Sequence, residues 1–126
     1  MKSLQMKQLT EKDEEIAEAL ISLKLSRPIA RTLSYLRNKN EATSVELERS
    51  TGLRQPEISI VSKELKERGW IDEREEKTQG KGRPYKIYML KIGFDEIVAQ
   101  LEKQHEKVVE VGQKKIERLK ELGKKD

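Results

Sequence analysis

The fourteen residues from Lys77 to Leu90, KTQGKGRPYKIYML, carry four positive charges and no negative one. They follow DEREE, residues 72–76, which is mostly acid. Ammonium and guanidinium groups on a Gly- and Pro-punctuated turn are suited to holding anionic oxygens, because each donates several charge-assisted hydrogen bonds and glycine lets the backbone come close. The chemistry on offer is recognition of a polyanion, with Lys77, Lys81, Arg83 and Lys86 as the candidate phosphate contacts. A second set lies upstream in RQPEISIVSKELKERG, residues 54–69. At about 100° per residue Ile58, Val61 and Leu65 share one side of a helix, which turns Ser59, Ile60 and Lys63 outward. Arg54 and Gln55 precede its first turn. Arg can take guanine in a bidentate fork, Gln can take adenine, and an exposed Ile can meet a thymine methyl. The plain alternative is that each set is an ordinary solvated surface, and on the helix alone that alternative is the stronger one.

The elements that must position these groups follow from periodicity and capping. Thr10 with Asp13 opens a first helix in which Ile16, Leu20 and Leu23 form the expected apolar stripe. Ser26 caps a second helix with Pro28 in its first turn and Ile29, Leu33 and Leu36 inside. Thr43 and Glu46 form a capping box for a short third helix, SVELERST, expected to present Val45 and Leu47 to the core and to close at Gly52. A fourth helix starts at Pro56 and is ended by Gly69. WIDEREE and PYKIYML then lean towards strand, with Tyr85, Ile87 and Met89 on one side and Lys86 and Tyr88 on the other, and Gly80, Gly82 and Pro84 make the turn between them. From Phe94 to Leu122 no proline interrupts a long helix.

Two short helices joined by STGLRQ have the form of a helix-turn-helix, and a hairpin beside it makes a winged helix. The expected fold is therefore mainly α with a small β-hairpin, a winged helix-turn-helix. It spans residues 1–92, and residues 93–126 form a long C-terminal dimerisation helix. The wing, residues 74–88, would lie on the sugar-phosphate backbone or in the minor groove while helix 56–68 enters the major groove. "KGRP", residues 81–84, resembles the core of an AT-hook over four residues.

At this point a family resemblance becomes visible. TGLRQPEISIVSKELKERGWI is similar to the helix-turn-helix of ArsR-type regulators, and GKGRPYKIYML resembles the wing of archaeal winged-helix transcriptional regulators related to the ArsR, MarR and TrmB groups. The match covers about residues 15–92. It implies sequence-specific binding of double-stranded DNA by a dimer, with Arg54, Gln55, Ser59 and Lys63 as helix contacts. Two departures limit it: Ser62 stands where many such helices hold Leu, and Ile60 stands where Arg often reads. The thiolates used by metal-sensing members are absent, since the chain has no cysteine.

Composition narrows the classes further. The net charge of +4 is modest, but five cations and no acid fall between Lys77 and Lys91, and clustering of this kind marks nucleic-acid binders. Without cysteine there are no disulfides and no thiolate metal sites. No apolar run approaches the roughly 20 residues a membrane span needs, and no signal-peptide pattern opens the chain, so a cytosolic protein is expected. His105 is the only histidine, no nucleophile–base pair appears, and neither catalysis, a metal nor a cofactor is implied.

In the long helix Leu101, Val108, Val111, Ile116, Leu119 and Leu122 recur at steps of three, five and seven residues, interrupted by His105, Gly112 and Lys115. Such a stripe calls for a second copy of the chain, which would give a homodimeric repressor of a palindromic operator. The alternative function is a winged helix for protein contacts, or a chromatin or general transcription component with little sequence preference. A small-molecule effector is left open, as are operator and target genes.

Overall fold

The computed structural model describes residues 9–77 and 82–124. The chain divides into two compact units, Met1–Phe94 and Asp95–Asp126.

In the first unit the order is α1 (Glu11–Ser22), α2 (Arg27–Asn38), β1 (Ala42–Thr43), α3 (Ser44–Thr51), α4 (Gln55–Glu67), β2 (Ile71–Glu76) and β3 (Tyr85–Leu90). The strands form one antiparallel sheet in the order β1-β3-β2. This is a winged helix-turn-helix: α3 and α4 are the helix pair, and β2 with β3 is the wing hairpin.

Capping chemistry starts the helices where the sequence indicates. The Thr10 hydroxyl accepts the Asp13 N–H, and the Asp13 carboxylate accepts the Thr10 N–H, both at 3.1 Å. The Thr43–Glu46 pair repeats the arrangement at α3, again at 3.1 Å both ways. Ser26 caps α2 through the Ile29 N–H at 3.4 Å. At Gly52, φ is +79°, and its N–H returns to the Glu48 carbonyl at 3.0 Å; a Cβ there would meet nothing within 4 Å. Space is therefore no constraint, and the left-handed backbone alone favours glycine.

The α2 helix is the centre of the core. Ile29, Ala30, Thr32, Leu33, Ser34, Tyr35 and Leu36 are all buried, which is the pattern of a helix covered on most sides. Around it lie Ala17, Leu20, Leu47, Ile58, Val61, Leu65, Trp70, Ile71, Ile87 and Tyr88. Arg68 lies over the Trp70 ring, 4.9 Å from its centroid.

Two expectations, for Leu23 and Val45, are corrected here. In α1 the buried positions are Asp13, Ala17 and Leu20, whereas Leu23 is 40% exposed. The helix ends at Ser22, Lys24 takes a left-handed φ of 78°, and Leu25 then fills the core place. In α3, Leu47 is buried but Val45 is 50% exposed, because two residues on a helix lie about 200° apart. Tyr88, on the side of the strand shared with Lys86, is 2% exposed. It belongs to the middle strand, and helical residues Thr32, Leu47, Ile58, Val61 and Ser62 surround it and Ile71.

A buried carboxylate fastens α1 to α2. Asp13 is 1% exposed. Besides capping α1 it accepts Asn38 Nδ2 at 3.3 Å and pairs with an Arg37 guanidinium nitrogen at 3.4 Å. Its backbone carbonyl takes the Ser34 hydroxyl at 2.6 Å.

The second unit is the body of α5 (Phe94–Leu122), 29 residues long. Ile97 and Leu101 are buried, while Val108, Val111, Ile116, Leu119 and Leu122 are exposed. None of the described helices is long and apolar enough to cross a membrane.

Candidate nucleic-acid interface

The outward face of α4 arises from the same spacing that fills the core. Ile58, Val61, Ser62 and Leu65 are buried, so Ser59, Ile60 and Lys63 must project away, and these three are exposed, as is Gln55 in the first turn. Ile60 is 68% exposed. A branched apolar side chain held in water at the middle of a well-packed helix contributes nothing to this unit's own core. Ser62 takes its core place by donating its hydroxyl to the Ser59 carbonyl at 3.0 Å, which satisfies a polar group that would otherwise be buried alone.

Arg54 is the N-cap residue of α4 and is exposed. Its backbone N–H is taken by the Glu57 carboxylate at 3.0 Å. Glu57 is thereby an internal cap, which accounts for an acid beside a face expected to meet phosphate. The first-turn amides of α4, together with the Arg54 side chain, form the positive end of the helix.

In the wing, some cations are held by carboxylates and others are exposed. Lys77 and Arg83 are exposed at the two sides of the hairpin tip. Lys86 is held: its ammonium lies 3.3 Å from the Glu73 carboxylate, whose other oxygen is 3.1 Å from Lys66 of α4. The hydrogen bond to Glu73 raises the Lys86 pKa above the ordinary lysine value. Arg74 is held as well, donating to Glu41 at 2.6 and 3.0 Å and lying 3.5 Å from Glu76. That fork lowers the Glu41 pKa and raises that of Arg74. Tyr88, opposite Glu73 in the strand register, has its pKa raised by burial first and by the Glu73 charge second.

Of the expected contacts, Arg54, Gln55, Ser59, Ile60 and Lys63 fall on one element, and Lys77, Arg83 and Lys86 fall on the hairpin that follows it. Lys81, with Gly80, lies outside the described residues. Sequence reasoning missed the Glu73 bridge between Lys66 and Lys86. The signal was faint: one acid at an inward-leaning position of β2, three residues after a Trp. Of the expected dimerisation residues, Leu101 is buried, whereas Val108, Val111, Ile116, Leu119 and Leu122 are exposed. Among the described residues no group of three or more His, Cys, Asp or Glu could hold a metal ion.

No family model and no curated protein matches the chain. Solved structures similar to it include two forms of one protein. The circadian clock associated protein Pex from anabaena is 20% identical, with 68% of this chain and 80% of that chain covered and a TM-score of 0.46. Pex from Synechococcus sp. is 22% identical, with 73% and 96% covered and a TM-score of 0.47.

Proposed function

We propose that this chain is a sequence-specific double-stranded DNA-binding transcriptional regulator, a homodimeric repressor of the winged-helix group to which its ArsR-, MarR- and TrmB-like motifs point. It acts in the cytosol by binding rather than by catalysis. The observation that carries the proposal is the outer face of α4. An exposed Ile60 sits beside Ser59 and Lys63, with Gln55 exposed in the first turn, an arrangement that the core does not require and that a major groove accommodates. Lys77 and Arg83 on the adjoining hairpin supply the backbone contacts that fix register without choosing sequence. The exposed apolar residues of α5 from Val108 to Leu122 support pairing with a second copy, which would present two such faces to a palindrome.

A fluorescence-anisotropy titration with mixed-sequence duplex at low ionic strength is the first test, followed by selection of bound sequences from a random pool. The expected result is general affinity that falls steeply with salt, and a two-fold symmetric preferred sequence. Absence of any association at low salt would end the proposal. Sedimentation of the protein alone should give the mass of two chains.

Gln55→Ala separates reading from holding. Its affinity for the selected site should fall by about 1–3 kcal/mol, with preference relaxed at one base pair in each half-site, while affinity for random duplex stays as it was. Equal losses on both duplexes would remove Gln55 from the reading set.

A further inference from the structure

Glu73 sits at the seam between the two elements proposed to meet DNA. It lies on β2, its side chain is 18% exposed, and each carboxylate oxygen faces one lysine: Lys66 of α4 at 3.1 Å and Lys86 of β3 at 3.3 Å. The two lysine side chains are 41% and 47% exposed, so the acid is shielded and the cations stand towards solvent. A tie between helix and strand needs only one such pair. Two lysines on one carboxylate leave a cluster with one net positive charge, and each ammonium keeps donors that Glu73 does not use.

We propose that Glu73 is a built-in competitor for the nucleic-acid backbone: by holding Lys66 and Lys86, one from each DNA-facing element, it limits the protein's affinity for duplex of any sequence. The inference rests on the DNA-binding reading above and adds a role to it. A regulator must leave random duplex in order to find its operator, and generic affinity comes from neutralised phosphates. With Glu73 in place, the two lysines offer a phosphodiester one unit of charge between them. Without it they offer two, on the same two elements. Glu75 is the other acid whose charge acts on Lys86; it is exposed and leaves the Glu73 cluster as the shielded one. The raised Lys86 pKa agrees with a cation already partnered.

The test is Glu73→Gln, which keeps the shape and an acceptor and removes the charge. Binding of mixed-sequence duplex is measured at several salt concentrations. The salt slope should steepen by about 0.9, the value of one further phosphate contact, and low-salt affinity should rise about three- to tenfold. Glu15→Gln on α1, an exposed acid, makes the same change in net charge and should leave the slope unaltered. Adding Lys66→Gln to Glu73→Gln should restore the wild-type slope. If Glu73→Gln lowers the melting temperature, Lys66→Gln alone serves: its slope should be shallower by about one unit. An unchanged slope in every variant overturns the inference, as does an equal gain from Glu15→Gln. A wild-type protein that binds no duplex sinks the DNA reading itself; a wild type that binds, with variants at its slope, sinks only the role of Glu73.

Discussion

Reversing two exposed cations together, Lys63→Glu with Arg83→Glu, should weaken binding to mixed-sequence duplex at low salt by at least on the order of a hundredfold. Each residue stands for a different half of the surface. Lys63 projects from the outward side of α4, and Arg83 from the hairpin tip; both are exposed. Losing two phosphate contacts should flatten the salt slope by about 1.8, and the new carboxylates add repulsion that grows as salt is lowered. The loss should therefore be greatest in dilute buffer and shrink as salt rises. Neither residue belongs to the core, so the thermal melting curve should not move. An affinity within a factor of two of wild type, across the salt series, would show that this face is not where the duplex lies.

The second large effect concerns the fold. Asp13→Ala should lower the free energy of unfolding by about 3 kcal/mol, read from urea denaturation. The carboxylate removed is 1% exposed and serves the Thr10 N–H, the Asn38 amide and the Arg37 guanidinium together. Arg37 is 23% exposed and can turn partly to water, which places the loss at the lower end for a broken buried pair. In a domain whose whole stability is roughly 5–15 kcal/mol, that is a large share. Asp13→Asn should fall between the two, since its amide oxygen still accepts the Thr10 N–H while the Arg37 charge is left unmatched. A change below 1 kcal/mol in Asp13→Ala would mean that these contacts add little.

Much of this molecule was legible before any coordinates. Capping boxes are local, so Thr10–Asp13 and Thr43–Glu46 could be recognised from spacing alone, and each starts a helix. The inner face of α4 was legible too, because Ile58, Val61 and Leu65 obey helical periodicity over a whole element. What escaped depends on contacts between distant residues. Strand β1 is two residues long, too short for any alternation to show. Lys86 looked free because the carboxylate that holds it lies thirteen residues away on the opposite strand. Asp13 was seen as a cap, yet its burial depends on Arg37 and Asn38 arriving from the end of α2.

The short strand β1 has a mechanical consequence. Thr43 is at once the residue paired with Ile87 in the hairpin's inner strand and the cap of α3. The hairpin and the helix pair thus share an anchor in one residue. The Thr43 pairing and the packing of Leu47 beside Tyr88 both join α3 to the middle strand, so a tilt of one is transmitted to the other.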